Sequence, residues 1–167
     1  FYNVQVQAVW LGNLLLVDNQ TNSHVLKEGF WAGKRTILDS GTTDTFLPQT
    51  LQEPWSRAWQ QLTGRDYVRY RSSFYTYEQF RDLLPDIVLK LASNATWTLH
   101  PKYYMEGVPL NQTDDSVIVW PGEKKLTNRV YTDELAGAVL GLNAMMGYEV
   151  EYGLDGVSLA PANCHGE

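Results

Sequence analysis

Asp39 stands in the run Thr36-Ile37-Leu38-Asp39-Ser40-Gly41-Thr42-Thr43, which continues to Phe46-Leu47-Pro48. One carboxylate is thereby set in a tight glycine turn between two apolar runs. Gly41 lets the backbone double back so that its amide reaches the carboxylate, and the hydroxyls of Ser40 and Thr42 add donors that fix its rotamer. Ile37, Leu38, Phe46 and Leu47 bury the turn, where a low local dielectric strengthens every charge interaction. A bare Asp-Ser-Gly is an ordinary turn, so it is the surrounding apolar context that points to chemistry. Two facing aspartates can share one proton, because neighbouring carboxylates resist ionising together, and such a pair can activate a water between them. The chain carries no second Asp-Ser-Gly or Asp-Thr-Gly. Asp44 lies on the same loop and cannot be the partner, since a dyad needs two loops facing each other; it reads as a solvated turn residue.

The elements that must hold this turn are short. Tyr2, Val4, Val6, Ala8 and Trp10 alternate with polar residues, the period of a strand with one buried face, and Gly12-Asn13 turns it into a second strand over 14–17. The polar stretch 18–28 reads as an exposed loop or hairpin tip. Leu51, Trp55, Trp59 and Leu62 recur at helical spacing; Thr50 and Glu53 have capping-box spacing, Pro54 falls in the first turn and Gly64 marks the stop. A second helix is predicted from Thr76 and Gln79, with Phe80, Leu83 and Leu84 on one side until Pro85 ends it. Strands follow over 87–91 and 95–99, and short apolar runs at 117–120, 138–140, 148–152 and 157–160 are separated by turns. Many short strands with two small helices predict a mainly β fold. There is no internal repeat, low-complexity tract or linker, so residues 1–167 read as a single domain.

Composition narrows the classes. The 167 residues are 44% hydrophobic and 13% aromatic, which excludes a disordered tail, and the apolar runs are far too short to span a bilayer. A formal net charge of −6 gives no electrostatic reason to bind nucleic acid or anionic lipid. Arg65, Arg69 and Arg71 interleave with Tyr67, Tyr70, Phe74, Tyr75 and Tyr77, which reads as a connection whose aromatics pack on the fold, a substrate or partner surface being the alternative. His24, His100 and His165 are scattered without ligand spacing, and neither a metal nor a cofactor is implied. No Gly-x-Ser-x-Gly elbow or phosphate-binding glycine loop occurs. Three sequons, at Asn19, Asn94 and Asn111, point to the secretory pathway. The one cysteine, Cys164, is then a free thiol or one end of a bond to another chain. The first residues carry no basic, signal-like start, so the chain reads as processed or excised.

In the order of these features the chain resembles the carboxy-terminal lobe of the pepsin-like aspartic endopeptidases, and the resemblance spans almost its whole length. Phe1-Tyr2-Asn3-Val4-Gln5-Val6, with Val9 and Gly12-Asn13, is similar to that lobe's first hairpin, and residues 37–48 to its catalytic loop. Leu84-Pro85-Asp86-Ile87-Val88-Leu89 and Leu99-His100-Pro101-Lys102-Tyr103-Tyr104 resemble the strands that follow. Ala138-Val139-Leu140-Gly141, Met146-Gly147-Tyr148-Glu149-Val150-Glu151-Tyr152 and Gly156-Val157-Ser158-Leu159-Ala160 resemble the closing segment, in which two apolar residues and a glycine thread through the catalytic loop.

The resemblance implies one half of a bilobal, β-barrel-like fold with two or three short helices. It implies Asp39 as the catalytic carboxylate, acting with an aspartate of an amino-terminal lobe to activate water against a peptide bond. Ser40 would reach across to the partner loop, Thr42 would bond the outer oxygen of Asp39, Gly41 would shape the turn and Gly141 would let the threading strand pass close. The implied partners are that lobe as a separate chain, with Cys164 as the candidate interchain disulfide, and a peptide or protein substrate. The implied setting is secreted, endolysosomal or lumenal, and no membrane anchor is seen in these residues. Two features depart from the family: the usual disulfide within the lobe is missing, and Leu142 stands where an acidic residue often follows the glycine. The alternative reading is a non-catalytic lobe serving as receptor, inhibitor or protein-binding module.

Overall fold

A computed structural model of the chain describes residues 2–21, 23–33, 35–108, 120–154 and 156–162. The predicted first strand is two strands. β1 (Tyr2–Val4) pairs antiparallel with the strand that leads into Asp39, whereas β2 (Val6–Leu11) joins a different sheet after a break at Gln5. Within β2 the alternation also fails: bulges near Val6–Ala8 and Val9–Trp10 shift the register against the two neighbouring strands, and the buried positions change over once, from Val6 and Ala8 to Val9 and Leu11. Val6, Val9 and Leu11 are fully buried, Trp10 is only half-buried and Tyr2 is exposed, which corrects the expected single apolar face. Gly12 turns the chain with a positive φ of 55° into β3 (Leu14–Asp18).

The polar stretch after β3 is not a simple loop. The Asp18 carboxylate accepts from the Gln20 and Thr21 amides, and the chain then winds through α1 (Ser23–Val25) and a π-type turn (Leu26–Phe30) that buries Leu26 and Phe30 completely. β4 (Thr36–Leu38) and β5 (Thr45–Pro48) flank the Asp39 turn. A 3₁₀ turn (Gln49–Leu51) leads into α2 (Gln52–Thr63), which buries Trp55 and Trp59 as the spacing predicts and Ala58 besides, while Leu51 is buried in the preceding turn and Leu62 is only half-buried. Gly64 ends it in the left-handed region, its amide on the Gln60 carbonyl. Thr50 does not cap this helix: the 3₁₀ turn intervenes, and its hydroxyl is directed to the Val25 carbonyl instead.

β6 (Ser72–Tyr75) is followed by α3 (Tyr77–Leu83), where the predicted capping box forms with both arms: the Thr76 hydroxyl accepts from the Gln79 amide at 3.2 Å and the Gln79 side chain accepts from the Thr76 amide at 3.1 Å. β7 (Ile87–Leu91) and β8 (Thr96–Leu99) form a hairpin. The run after Leu99 is helical rather than extended, because Pro101 opens the single turn α4 (Pro101–Tyr104). The remaining elements are β9 (Met105–Glu106), β10 (Lys124–Asn128), β11 (Val130–Glu134), β12 (Ala138–Leu140), α5 (Leu142–Met145), β13 (Tyr148–Tyr152) and β14 (Val157–Pro161). The apolar run expected at 117–120 lies outside the described residues except for Trp120, which is buried against Tyr77 and Phe80.

The protein is mainly β. The two predicted helices are present, and α1, α4 and α5 add single turns in segments read as loop or strand. Among the described residues the strands form open sheets, in the orders β1-β4-β12-β5-β11, β3-β2-β7-β8 and β6-β10-β9, with a β13-β14 hairpin, and none closes into a barrel. One apolar cluster joins them, with Trp55, Trp97, Tyr104 and Phe30 as its largest fully buried side chains. Replacing Thr76 by alanine removes one arm of the capping box and is expected to cost about 1 kcal/mol, read as a lower urea midpoint with the slope of the transition unchanged.

Candidate functional site

β4 delivers Asp39 to the turn from a fully buried Thr36 and nearly buried Ile37 and Leu38. The strand does not end freely, since the Asp39 amide still donates to the Leu140 carbonyl at 3.1 Å. Each carboxylate oxygen then receives one local donor: the Gly41 amide reaches Oδ1 at 3.0 Å and the Thr42 hydroxyl reaches Oδ2 at 2.8 Å. Two donors on different oxygens fix the plane of the carboxylate and leave each oxygen with further accepting capacity. The Thr42 bond is the one the sequence resemblance implies. Ser40 is exposed, and its hydroxyl makes no hydrogen bond among the described residues, so it is not the donor to Asp39 that the local pattern predicts; among those residues the carboxylate is held by Gly41 and Thr42 alone.

β12 runs between the two strands that flank this turn. It pairs in parallel with β4, Ala138 opposite Thr36 and Leu140 opposite Leu38, and meets β5 at Val139 opposite Phe46. Gly141 follows and passes against the inner side of the loop. A β-carbon there would lie 2.1 Å from the Asp44 carbonyl oxygen and 2.7 Å from that of Thr42, so the position admits no side chain. The next two amides close the crossing: Leu142 donates to the Thr42 carbonyl at 2.7 Å and Asn143 to the Thr43 carbonyl at 3.1 Å.

Several residues that local patterns did not single out complete the site. The Arg129 guanidinium lies 3.0 Å from Asp44 Oδ1 and 3.7 Å from Glu106, and the Asp44 side chain is only 15% exposed. Asp44 is therefore half of a partly buried ion pair and not a solvated turn residue. Burial pulls the Arg129 guanidinium down, but the charges of Asp44 and Glu106 outweigh it and hold the group above its ordinary value. Behind the loop the Thr45 hydroxyl meets the Asn143 side chain at 2.6 Å. No sequence signal could flag that pair, because its members are 98 residues apart. Beside the loop opens a hollow of about 190 Å³ lined by Thr43, Asp44, Met105, Val108, Leu142 and Met146 among others.

The basic and aromatic stretch divides between core and surface. Tyr67 packs edge-on against Trp55 and Trp59 and bonds the Val130 carbonyl, while Arg65 lies over the Tyr75 ring and donates to the Phe74 carbonyl. Tyr70 stacks on Tyr131 at 4.3 Å and bonds Asp133, and that bond, with a smaller contribution from burial, pushes its phenol up to about 12. Tyr70 and Phe74 remain more than half exposed. His24 is exposed and His100 pairs locally with Asp86 at 2.8 Å. Asn19 and Asn94 are exposed, the latter at the tip of the β7–β8 hairpin. Asn111, Cys164 and His165 lie outside the described residues. Among the described residues no three His, Cys, Asp or Glu side chains converge on a metal-sized site, and no helix is long and apolar enough to cross a membrane.

No family model and no curated protein matches this chain. What fold and site define is a mainly β protein with a clamped carboxylate on a turn that a third strand passes between. Gly141→Ala is expected to cost about 3 kcal/mol or more, since the three nearest atoms it would strike are all backbone, whereas Gly41→Ala meets only the Asp39 side chain at 3.2 Å and should be far milder. Thermal unfolding of the two variants side by side checks this.

Proposed function

We propose that the chain is the carboxy-terminal lobe of a pepsin-like aspartic endopeptidase, contributing Asp39 to a dyad whose second aspartate comes from an amino-terminal lobe. The observation that carries this reading is the passage of β12 and Gly141 between the strands flanking the Asp39 turn, with the Asp39 carboxylate held by Gly41 and Thr42. A carboxylate that only closed a surface turn would need no third strand behind it.

In the mechanism this implies, two carboxylates facing each other share one proton and hold a water between them. The ionised member takes a proton from the water as it attacks the scissile carbonyl carbon, and the protonated member donates to the carbonyl oxygen. The tetrahedral diol then collapses as the amide nitrogen is protonated, and the C–N bond breaks without a covalent enzyme intermediate. In this reading Gly41 and Thr42 keep Asp39 from rotating during both proton transfers, and Ser40, exposed and unengaged within the described residues, bonds the partner loop. The three sequons support a secretory setting, and Cys164 is the candidate link to the partner chain. The polypeptide substrate binds extended across the two lobes.

Replacing Asp39 by Asn in the assembled two-lobe protein tests the reading. Peptidase activity on an unstructured protein substrate at acidic pH should fall roughly 10²- to 10⁴-fold, with the fold retained by circular dichroism. Undiminished hydrolysis would overturn it, and saturable peptide binding without turnover by the unaltered protein would mark a binding module instead.

A further inference from the structure

The Asp39 turn is held from a second side by a buried polar chain whose direction is forced. The Arg129 carbonyl can only accept, so the Asn143 amide nitrogen, 2.9 Å away, must face it. Asn143 Oδ1 then faces the Thr45 hydroxyl, which must donate across the 2.6 Å between them. That leaves the Thr45 oxygen to accept from the Gly141 amide, at 3.4 Å. Thr45 is 2% exposed and Asn143 is 5% exposed, so water cannot replace a lost partner without the site opening. The same Arg129 carbonyl also accepts the Thr45 amide at 3.2 Å, and the Arg129 side chain grips Asp44. One residue thus ties the loop, the threading segment and α5 to a single point, while neither Thr45 nor Asn143 bonds the Asp39 carboxylate.

We propose that Thr45 and Asn143 are positioning residues for the hydrolysis, their hydrogen-bonded pair on the Arg129 carbonyl setting how far the Asp39 turn stands above Gly141 and hence the separation of the two carboxylates; the inference rests on the aspartic-protease reading. Thr45→Val keeps the side-chain volume and removes both hydroxyl bonds, whereas Thr45→Ser keeps them. In the assembled two-lobe protease, Thr45→Val should lower kcat by about 10- to 100-fold, the scale of a misplacement near 1 Å, with KM for a peptide substrate changed less than about twofold. Amide exchange, followed by mass spectrometry, should rise over residues 39–46 and not in the β7–β8 hairpin, and Thr45→Ser should restore both readouts. An unchanged kcat, a rise in exchange spread over the whole chain, or failure of serine to restore would overturn the proposal. If the unaltered protein hydrolyses nothing, the protease reading falls and the exchange pattern alone decides whether the pair positions the turn. If Thr45→Val does not fold, Asn143→Ser must give the same local signature, and its absence overturns the proposal equally.

Discussion

Gly141 lies against the backbone of the Asp39 loop at a distance that admits only a hydrogen, and most of the site's geometry descends from that crossing. A strand passing between β4 and β5 must leave the sheet where the loop closes over it, and the next two amides, of Leu142 and Asn143, pair at once with the Thr42 and Thr43 carbonyls. Those bonds tie the carbonyls of a half-exposed loop to the threading segment, so that the turn is fixed from its inner side although Ser40, Gly41 and Thr43 face solvent. The crossing thus bonds the loop's carbonyls from within, while the Gly41 amide and the Thr42 hydroxyl donate to the carboxylate.

Around this crossing the polar groups are arranged in two tiers. The nearer tier is local in sequence: Gly41 and Thr42 hold Asp39 from positions two and three residues away. The farther tier is assembled from distant segments, with Thr45, Asn143, Arg129 and Asp44 meeting behind the loop. Because Thr45 and Asn143 in the farther tier are buried, their bond resists exchange with water and transmits position more stiffly than a surface contact would. Apolar packing then carries this assembly: the Trp97 indole, 1% exposed, donates to the Ala144 carbonyl of α5 at 2.7 Å and so fastens the end of the threading segment to the β7–β8 hairpin.

The aromatic surface beside the site follows a different logic. Phe46, Tyr131 and Tyr70 form a stepped series from the strand after the Asp39 loop out to solvent, with ring centroids 5.3 and 4.3 Å apart. Tyr70 holds this outer position in a left-handed backbone conformation, φ 57°, that a tyrosine adopts only when its surroundings compensate. Its stack on Tyr131 and its bond to Asp133 supply that compensation. A basic and aromatic stretch that composition leaves open between core and surface is thus split, Tyr67 and Tyr75 turning inward and Tyr70 and Phe74 outward.

What the sequence determined by itself is what near neighbours in the chain decide. The Thr76–Gln79 capping box, the Trp55 and Trp59 face of α2, its Gly64 stop, the strands at 87–91 and 138–140 and the Gly41 and Thr42 donors to Asp39, though not the expected one from Ser40, all depend on residues within about one helical or turn period of each other. What only the tertiary structure decided depends on segments that meet from afar. Bulges opposite β3 and β7 turned the face of the first strand over, and burial of Leu26 drew a polar loop into a helical turn. Arg129 came to Asp44 from 85 residues away and Asn143 to Thr45 from 98, so that an apparent surface aspartate became half of an ion pair. A turn's hydrogen bonds are set by backbone geometry that three or four residues encode, whereas the partner of a buried polar group is set by which strands pack together, and no local pattern carries that information.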